Sequence, residues 1–518
     1  MAEIIERALF LADRAGATGN KNTPFVLNAI KELSGNRSVP ANKALVEANV
    51  IRGARVAVEL SKLQRGEEGS SKTSNFMPRF LGGEDTLSGL NEDLHRKSLS
   101  NQAPPTRQSL TKTSNTPSQP EILVAGSLAV DISCDYTPPP TSPQLSTPQQ
   151  HTSNPSHISD TLGGVGANIA RAVHLLGANV RFCSAVADDL AGRGALQALK
   201  DTGLDTSSIQ ILPGSTGART ARYVALNDAK KDLVMAMSDM SIIDNIPAFH
   251  LRNWTQNQSS NSNSKPAYLI IDANWSPPTL HAWLSWARTH KIPTVFEPVS
   301  VAKSTRLFTL PPTNSKPTII PTHPTPLINI LTPNIHELSA LYTHARSTHL
   351  LDTPTWWNII NALGIPSTGA RVALSLLTTP SLVDAGIPQR ALQLLPFCPT
   401  ILTKLGSQGV LLTMLLNAHD PRLSSPEAAE FILSRSQSES VGGVYMRLFG
   451  PAEVVAEEEV AGVSGCGDTF CGALVAGLVR RGRGAMVEEC VMEAQRAAVL
   501  TLKSRESVSE GLRGMRVE

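Results

Sequence analysis

The sequence predicts an α/β protein: a central, mostly parallel sheet with helices on both faces. Three observations carry that prediction. The candidate strands are short apolar runs, Ile122-Leu123-Val124-Ala125-Gly126, Leu269-Ile270-Ile271 and Ile328-Asn329-Ile330-Leu331, with helical segments between them. Strands buried on both faces read this way. Residues 220–226 and 232–237 bracket Asn227-Asp228-Ala229-Lys230-Lys231 and read as a hairpin. Late in the chain, residues 463–479 open on a small-residue turn and continue as unbroken helix material.

Taken in order, the chain begins with helices. Thr23-Pro24 is a helix start, with the hydroxyl as cap and proline in the first turn. Phe25, Leu27, Ile30 and Leu33 follow near helical spacing, and Gly35 stops the run. A second start at Ser38 leads into an apolar face through Leu45, Val46, Val50, Ile51, Ala54, Val58 and Leu60. Residues 1–64 hold too few such helices to close a core without a partner surface. Residues 65–120 are rich in Ser, Asn, Pro, Gln and charge, and read as a disordered linker. The main domain is expected over 121–506, with a tail over 507–518. Polar, Pro-rich patches near 136–159, 253–266 and 310–327 read as surface loop insertions, whose entropic cost grows slowly with length.

The most informative element is Gly465-Cys466-Gly467-Asp468 and the helix after it. A helix that starts behind a glycine turn aims its free N–H groups and positive dipole end outward, which makes an anion site. A carboxylate at its lip repels phosphate unless it takes a proton from an attacking hydroxyl. The pairing points to phosphoryl transfer to an alcohol. The alternative is a glycine-broken core helix in which Asp468 is an ordinary N-cap.

Composition narrows the rest. The 518 residues allow two or three domains, and 41% hydrophobic content supports a core. A net charge of +2 gives no case for a nucleic-acid-wrapping surface. No apolar run reaches membrane-spanning length, and the N-terminus mixes acids with bases, unlike a targeting peptide. The 6 cysteines show no C-x-x-C spacing, which fits reduced thiols and a cytoplasmic location.

The motifs together resemble the ribokinase-like (PfkB) carbohydrate kinases. The late turn resembles that family's G-A-G-D signature, and Gly163-Gly164-Val165-Gly166-Ala167-Asn168 ending in Leu176-Gly177 resembles its early diglycine signature. Asp189 and Gly192 match V-G-x-D-x-x-G apart from Ala187, Asn334 and Glu337 match N-x-x-E, and 403–409 match a nucleotide-side strand and turn. The resemblance implies a three-layer fold with a small β lid, built here from the hairpin. It implies Asp468 as general base, with the N–H groups of Gly465, Cys466 and Gly467 as anion hole. It places Asp131, Gly163, Gly164 and Asn168 on the sugar, and Thr403, Lys404, Gly406 and Gly409 along the nucleotide. Asn334 and Glu337 would organise Mg²⁺ through water; their spacing alone equally suits a helix-capping box, and both can hold. Asp131 alone could be a strand-end turn acid. ATP and Mg²⁺ are implied, with K⁺ as a further candidate ion at the turn, where Gly462 replaces an acid found in many members.

Residues 1–64 show a second resemblance, to the C-terminal end of pseudouridine-5′-phosphate glycosidases. Asn42 matches an active-site-wall asparagine there. Their catalytic body has no counterpart in this sequence, so the segment is expected to be inactive by itself and the chain to be a fragment of a fused bifunctional protein. That fusion, with Asp272-Ala273-Asn274, Phe296-Glu297-Pro298-Val299-Ser300, Lys303 and 497–502, resembles pseudouridine kinases in particular. The leading expectation is an ATP-dependent pseudouridine kinase acting on a small nucleoside, without nucleic-acid or membrane partners and with homo-oligomerisation open. Its rivals are another sugar or nucleoside kinase, a glycosidase, and a non-catalytic binding protein.

Overall fold

The computed structural model describes residues 7, 10–12, 14, 15, 22–33, 122–139, 146–255, 265–309, 320–365, 369–482 and 484–516. The chain divides into two units, Met1–Leu110 and Thr111–Glu518. In the first, helix α1 spans Asn22–Leu33 and contains the Thr23-Pro24 start. Ala29 is buried on it, and Asn28 Nδ2 donates to Glu32 Oε1 one turn later at 2.8 Å. The second helix expected from Ser38, Asn42 and the linker at 65–120 lie outside the described residues.

The second unit contains the strands β1 (Ile122–Ala125), β2 (Ala129–Tyr136), β3 (Ser156–Gly163), β4 (Val180–Ala187), β5 (Ile209–Leu212), β6 (Ala221–Asn227) and β7 (Leu233–Asp239). It continues with β8 (Tyr268–Asp272), β9 (Thr294–Glu297), β10 (Ile330–Leu331), β11 (Thr400–Lys404), β12 (Val410–Leu416), β13 (Ile432–Arg435) and β14 (Gly443–Phe449). The main sheet has the order β13-β14-β12-β11-β10-β9-β8-β1-β4-β5. From β11 to β5 every pairing is parallel, and β12, β14 and β13 close one edge antiparallel. The remaining strands form a separate four-stranded sheet, β3-β2-β6-β7, which contains the predicted hairpin as β6 and β7.

The helices that position the site are α2 (Val165–Leu175), α3 (Leu190–Asp201), α4 (Pro277–Thr289), α5 (Ile335–Ser347), α6 (Cys466–Arg481) and α7 (Glu488–Leu502). Successive residues of a strand point to opposite faces, so β1 feeds two cores. Ile122 and Val124 meet α2, α3, α6 and α7, while Leu123 and Ala125 meet α4 and α5. The result is the three-layer α/β arrangement. Helix α6 is buried continuously from Asp468 to Leu478, as a helix apolar all round must be. Gly472 lets α2 approach it closely, since a Cβ there would lie 3.0 Å from Ile169 O. Among the described residues, no helix is long and apolar enough to cross a membrane.

Two expectations need correction. Residues 507–516 are not a free tail. Val508 and Leu512 are fully buried, Arg516 Nε donates to Leu175 O at 2.7 Å, and Ser509 N donates to Thr501 Oγ1 at 3.2 Å. Replacing Leu512 with Ala should destabilise the protein by about 2–5 kcal/mol in urea titration; a loss below about 0.5 kcal/mol, the usual range for surface changes, would mean the segment is dispensable. The polar patches are not wholly surface loop insertions either. Strand β3 begins at Ser156 within the first, Trp254 is buried in the second, and Ile320 and Leu327 are buried in the third.

Candidate active site

In an open parallel sheet, ligand sites form beyond the C-terminal strand ends, and most of the predicted residues lie there. Strand β1 is followed by Gly126-Ser127 and β10 by Thr332 and Asn334, while β8 ends at Asp272, β9 at Glu297 and β11 at Lys404. Asp272 ties the first of these together. Its Oδ2 accepts from Ser127 N at 2.8 Å, Ser127 Oγ at 3.0 Å and Gly166 N at 3.0 Å, while Oδ1 accepts from Asn274 N at 2.9 Å. One carboxylate therefore fixes the β1 loop and the opening of α2 to β8.

The diglycine turn is shaped by close packing. A Cβ on Gly163 would fall 2.1 Å from Asp131 Oδ2, so glycine there leaves the Asp131 carboxylate its place. Gly164 caps α2 at φ +92°, a conformation that L side chains rarely adopt. Asp131 lies on β2, and burial pushes its carboxyl up to about 6. Asn168, in the first turn of α2, donates its Nδ2 to Asp468 Oδ2 at 2.9 Å. Its own Oδ1 is buried without a partner. Residues 300 positions apart in sequence thus meet, and the early and late turns line one locale.

Helix α6 starts at Cys466 behind Gly465, which has φ +77°. A Cβ on Gly465 would lie 1.8 Å from Ser507 O, so the C-terminal segment backs the turn directly. Thr469 Oγ1 meets Thr501 Oγ1 at 2.9 Å and anchors the first turn of α6 to α7. The first N–H groups of α6 have no helical acceptors, which leaves the Gly465–Gly467 backbone suited to an anion. Burial pushes Asp468 up to about 6, against the opposing pull of the Asn168 amide and Lys404. Burial also raises the Cys466 thiol, to about 11, so it is neutral at physiological pH.

Lys404, expected along the nucleotide, is tied to the acid that ends β9. Its Nζ donates to both oxygens of Glu297, at 2.8 and 2.9 Å, and a Cβ on Gly467 would lie 3.0 Å from that Nζ. Glu297 also accepts from Thr332 Oγ1 at 2.6 Å. Burial raises Glu297, with Lys404 opposing, while Glu297 and Glu337 hold Lys404 protonated despite its burial. Asn334 and Glu337 do form a capping box on α5: Asn334 Oδ1 accepts from His336 N and Glu337 N, and Asn334 N donates to Glu337 Oε2 at 2.8 Å. Lys404 N donates to Pro333 O at 2.8 Å and brings this box to the nucleotide-side strand. Thr403 is fully buried, with Oγ1 unpartnered, and so lines no open surface. Gly409 is pinned against Phe449 O, where a Cβ would lie at 2.1 Å, while Gly406 at φ +63° faces open space.

The residues brought together are therefore Asp131 with Gly163, Asn168 with Asp468, and Lys404 with Glu297 beside Gly467. Glu297, Glu337 and Asp468 interact electrostatically around the single Lys404. Among the described residues, no three His, Cys, Asp or Glu side chains converge as a metal site, and Glu297 and Glu337 are already engaged by Lys404 and the capping box. Sequence reasoning assigned no site role to Glu297, Asp272 or Thr332. Both acids end apolar strand runs at the sheet's C-terminal edge, a signal that was available.

The pfkB family carbohydrate kinase profile matches residues 121–353, and the Indigoidine synthase A like protein profile matches residues 1–59. A pseudouridine-metabolizing bifunctional protein of Schizosaccharomyces pombe is 27% identical over 98% of this chain and 62% of its own length. The Escherichia coli pseudouridine kinase is 31% identical over 30% of this chain and 46% of its own. A pseudouridine-5′-phosphate glycosidase of Caldanaerobacter subterraneus is 48% identical over 12% of this chain and 20% of its own. The chain thus spans about three fifths of the first of these relatives and less of the others. The α/β architecture is the ribokinase-like one expected from the sequence. Residues 121–353 are thus similar to the pfkB carbohydrate kinases, and residues 1–59 to the Indigoidine synthase A like proteins.

Proposed function

We propose that this protein transfers the γ-phosphoryl group of ATP to the 5′-hydroxyl of pseudouridine. The observation that carries the reading is the Asn168–Asp468 hydrogen bond, which joins the sugar-side turn to the anion-side turn. Asp468 takes the hydroxyl proton as the oxygen attacks phosphorus and the bond to ADP breaks. Charge growing on the transferred group faces the N–H groups of Gly465, Cys466 and Gly467. Asp131, the Gly163-Gly164 backbone and the unpartnered Asn168 Oδ1 offer acceptors and donors to the ribose hydroxyls. Positioning of this kind supplies most of the catalysis in phosphoryl transfer. Bound Mg²⁺ would neutralise phosphate charge; Glu337 and Asn334 would hold its water shell. The 6 cysteines, all free, fit a reducing compartment such as the cytoplasm.

The choice of pseudouridine draws on the substrates in the relatives' names. Purified protein offered ATP with pseudouridine, uridine, ribose and adenosine should turn over pseudouridine with the highest kcat/KM. A higher value for any of the others would replace the substrate while leaving the chemistry. For residues 1–64 we propose no glycosidase chemistry of their own; release of uracil from pseudouridine 5′-phosphate would overturn that.

A further inference from the structure

The lid sheet has two unlike faces. Alternation along β2 puts Asp131, Ser133 and Asp135 on one face, and the register with β6 adds Tyr223 opposite Asp131 and Asn227 opposite Asp135. The other face carries Ile132, Cys134, Val224, Leu226 and, from β3, Ile158. Gly163 ends β3 on the same face as Asp131, where a Cβ would strike that carboxylate, and the function proposed above puts Asp131 on the ribose, so the polar face is taken as the substrate's.

Outward from Asp131 this face holds a closed cluster. Asn227 Nδ2 donates to Ser133 Oγ at 3.0 Å and to Asp135 Oδ1 at 2.7 Å, and Ser133 Oγ donates to that same oxygen at 3.0 Å. A strand advances about 3.3 Å per residue, so Ser133 stands about 7 Å beyond Asp131, and its bond draws the Asp135 carboxylate back toward that level. That is the span from a ribose diol to the ring nitrogens of the attached base. The Asn227 amide, with Ser133 and the nearby charges of Lys231 and His157, holds Asp135 below its ordinary range despite partial burial. An ionised carboxylate accepts and cannot donate. Among the described residues, no donor reaches Asp135 Oδ2 or Asn227 Oδ1, so each keeps an acceptor to offer.

We propose that Asp135 and Asn227 read the base, setting two acceptors against the two ring N–H groups of a C-linked pyrimidine. Pseudouridine presents N1–H and N3–H, whereas uridine, glycosylated at N1, presents N3–H alone. The pair therefore selects the C-linked nucleoside. This rests on the function proposed above and adds the residues that set its specificity.

The test uses the full chain and the variants Asp135→Asn, Asp135→Ala and Asn227→Ala, with melting temperatures measured alongside. Pseudouridine kcat/KM should fall roughly ten- to a hundredfold, the usual effect of losing a hydrogen bond to a charged group. The loss should lie in KM, with kcat little changed. Uridine, assayed as substrate or as inhibitor, should weaken far less, so the preference narrows. Equal losses for both nucleosides, or no loss for either, in the variants that fold would overturn the inference and leave the kinase reading standing. A wild-type chain inactive on pseudouridine would instead overturn the functional reading and this one with it.

Discussion

Replacing Asp468 with Asn should lower kcat by roughly 10²- to 10⁴-fold, the usual contribution of a positioned general base, and should at the same time stabilise the fold. Both effects come from burial. Asp468 is enclosed at the head of α6, and its carboxyl lies at about 6 against an ordinary 3.8. The folded state therefore binds this proton more tightly than the unfolded chain. Its stabilising contribution is fully present below pH 3.8 and is lost as pH rises through about 6. At neutral pH the buried charge costs on the order of 2–3 kcal/mol, which the amide removes. The variant should melt higher than wild type at pH 7.5, and the two should converge near pH 4. For the wild type, kcat/KM should climb with pH through about 6 as the base ionises, and Asp131, raised to a similar value, steepens that limb if it too must be charged. Turnover in Asp468→Asn within tenfold of wild type would remove Asp468 as the base.

The second large effect is on folding. Lys404→Met should cost about 3–5 kcal/mol, because it strands the Glu297 carboxylate without its cation. The Glu297 side chain is 4% exposed, and without Lys404 nothing opposes the burial that raises its carboxyl, so it must either stay as a bare buried charge or take up a proton. Adding Glu297→Gln should restore much of that loss, since the neutral amide needs no counter-ion and can still accept from Thr332 Oγ1. Urea titration of both single variants and the double variant measures the coupling. Strict additivity would show that the pair contributes nothing beyond its two members. Activity is expected to stay low in the double variant, because Lys404 also sits against Gly467 and balances the acids around it.

The parts legible in the sequence are those where local chemistry and backbone demand coincide. Gly163, Gly164 and Gly465 stand where a side chain would strike Asp131, the β1 loop or Ser507, and such glycines leave a readable mark. The hairpin β6–β7 was legible from its turn residues, and the parallel strands from their apolar runs. Strand β3 was not, because Ser156–Gly163 is largely exposed on the lid and lacks an apolar stripe. The closing segment 507–516 was missed for a related reason. It is a short 3₁₀ stretch anchored by Val508 and Leu512, too brief to show any period. The Glu297–Lys404 pair spans 107 positions. Nothing local in either residue's surroundings signals the other, and only the sheet order, which places β10 alone between β9 and β11, brings them together.

The Asn168–Asp468 contact also constrains the order of events during synthesis. Its two halves leave the ribosome 300 residues apart, and the turn that holds Asp468 rests on Ser507, close to the last described residue. Contacts of such long sequence separation form late. A nascent chain can stack β1, β4 and β8 early, yet the turn proposed to hold the transferred phosphoryl group is backed only after Ser507 has emerged, so the sheet is made before the segment that completes its edge.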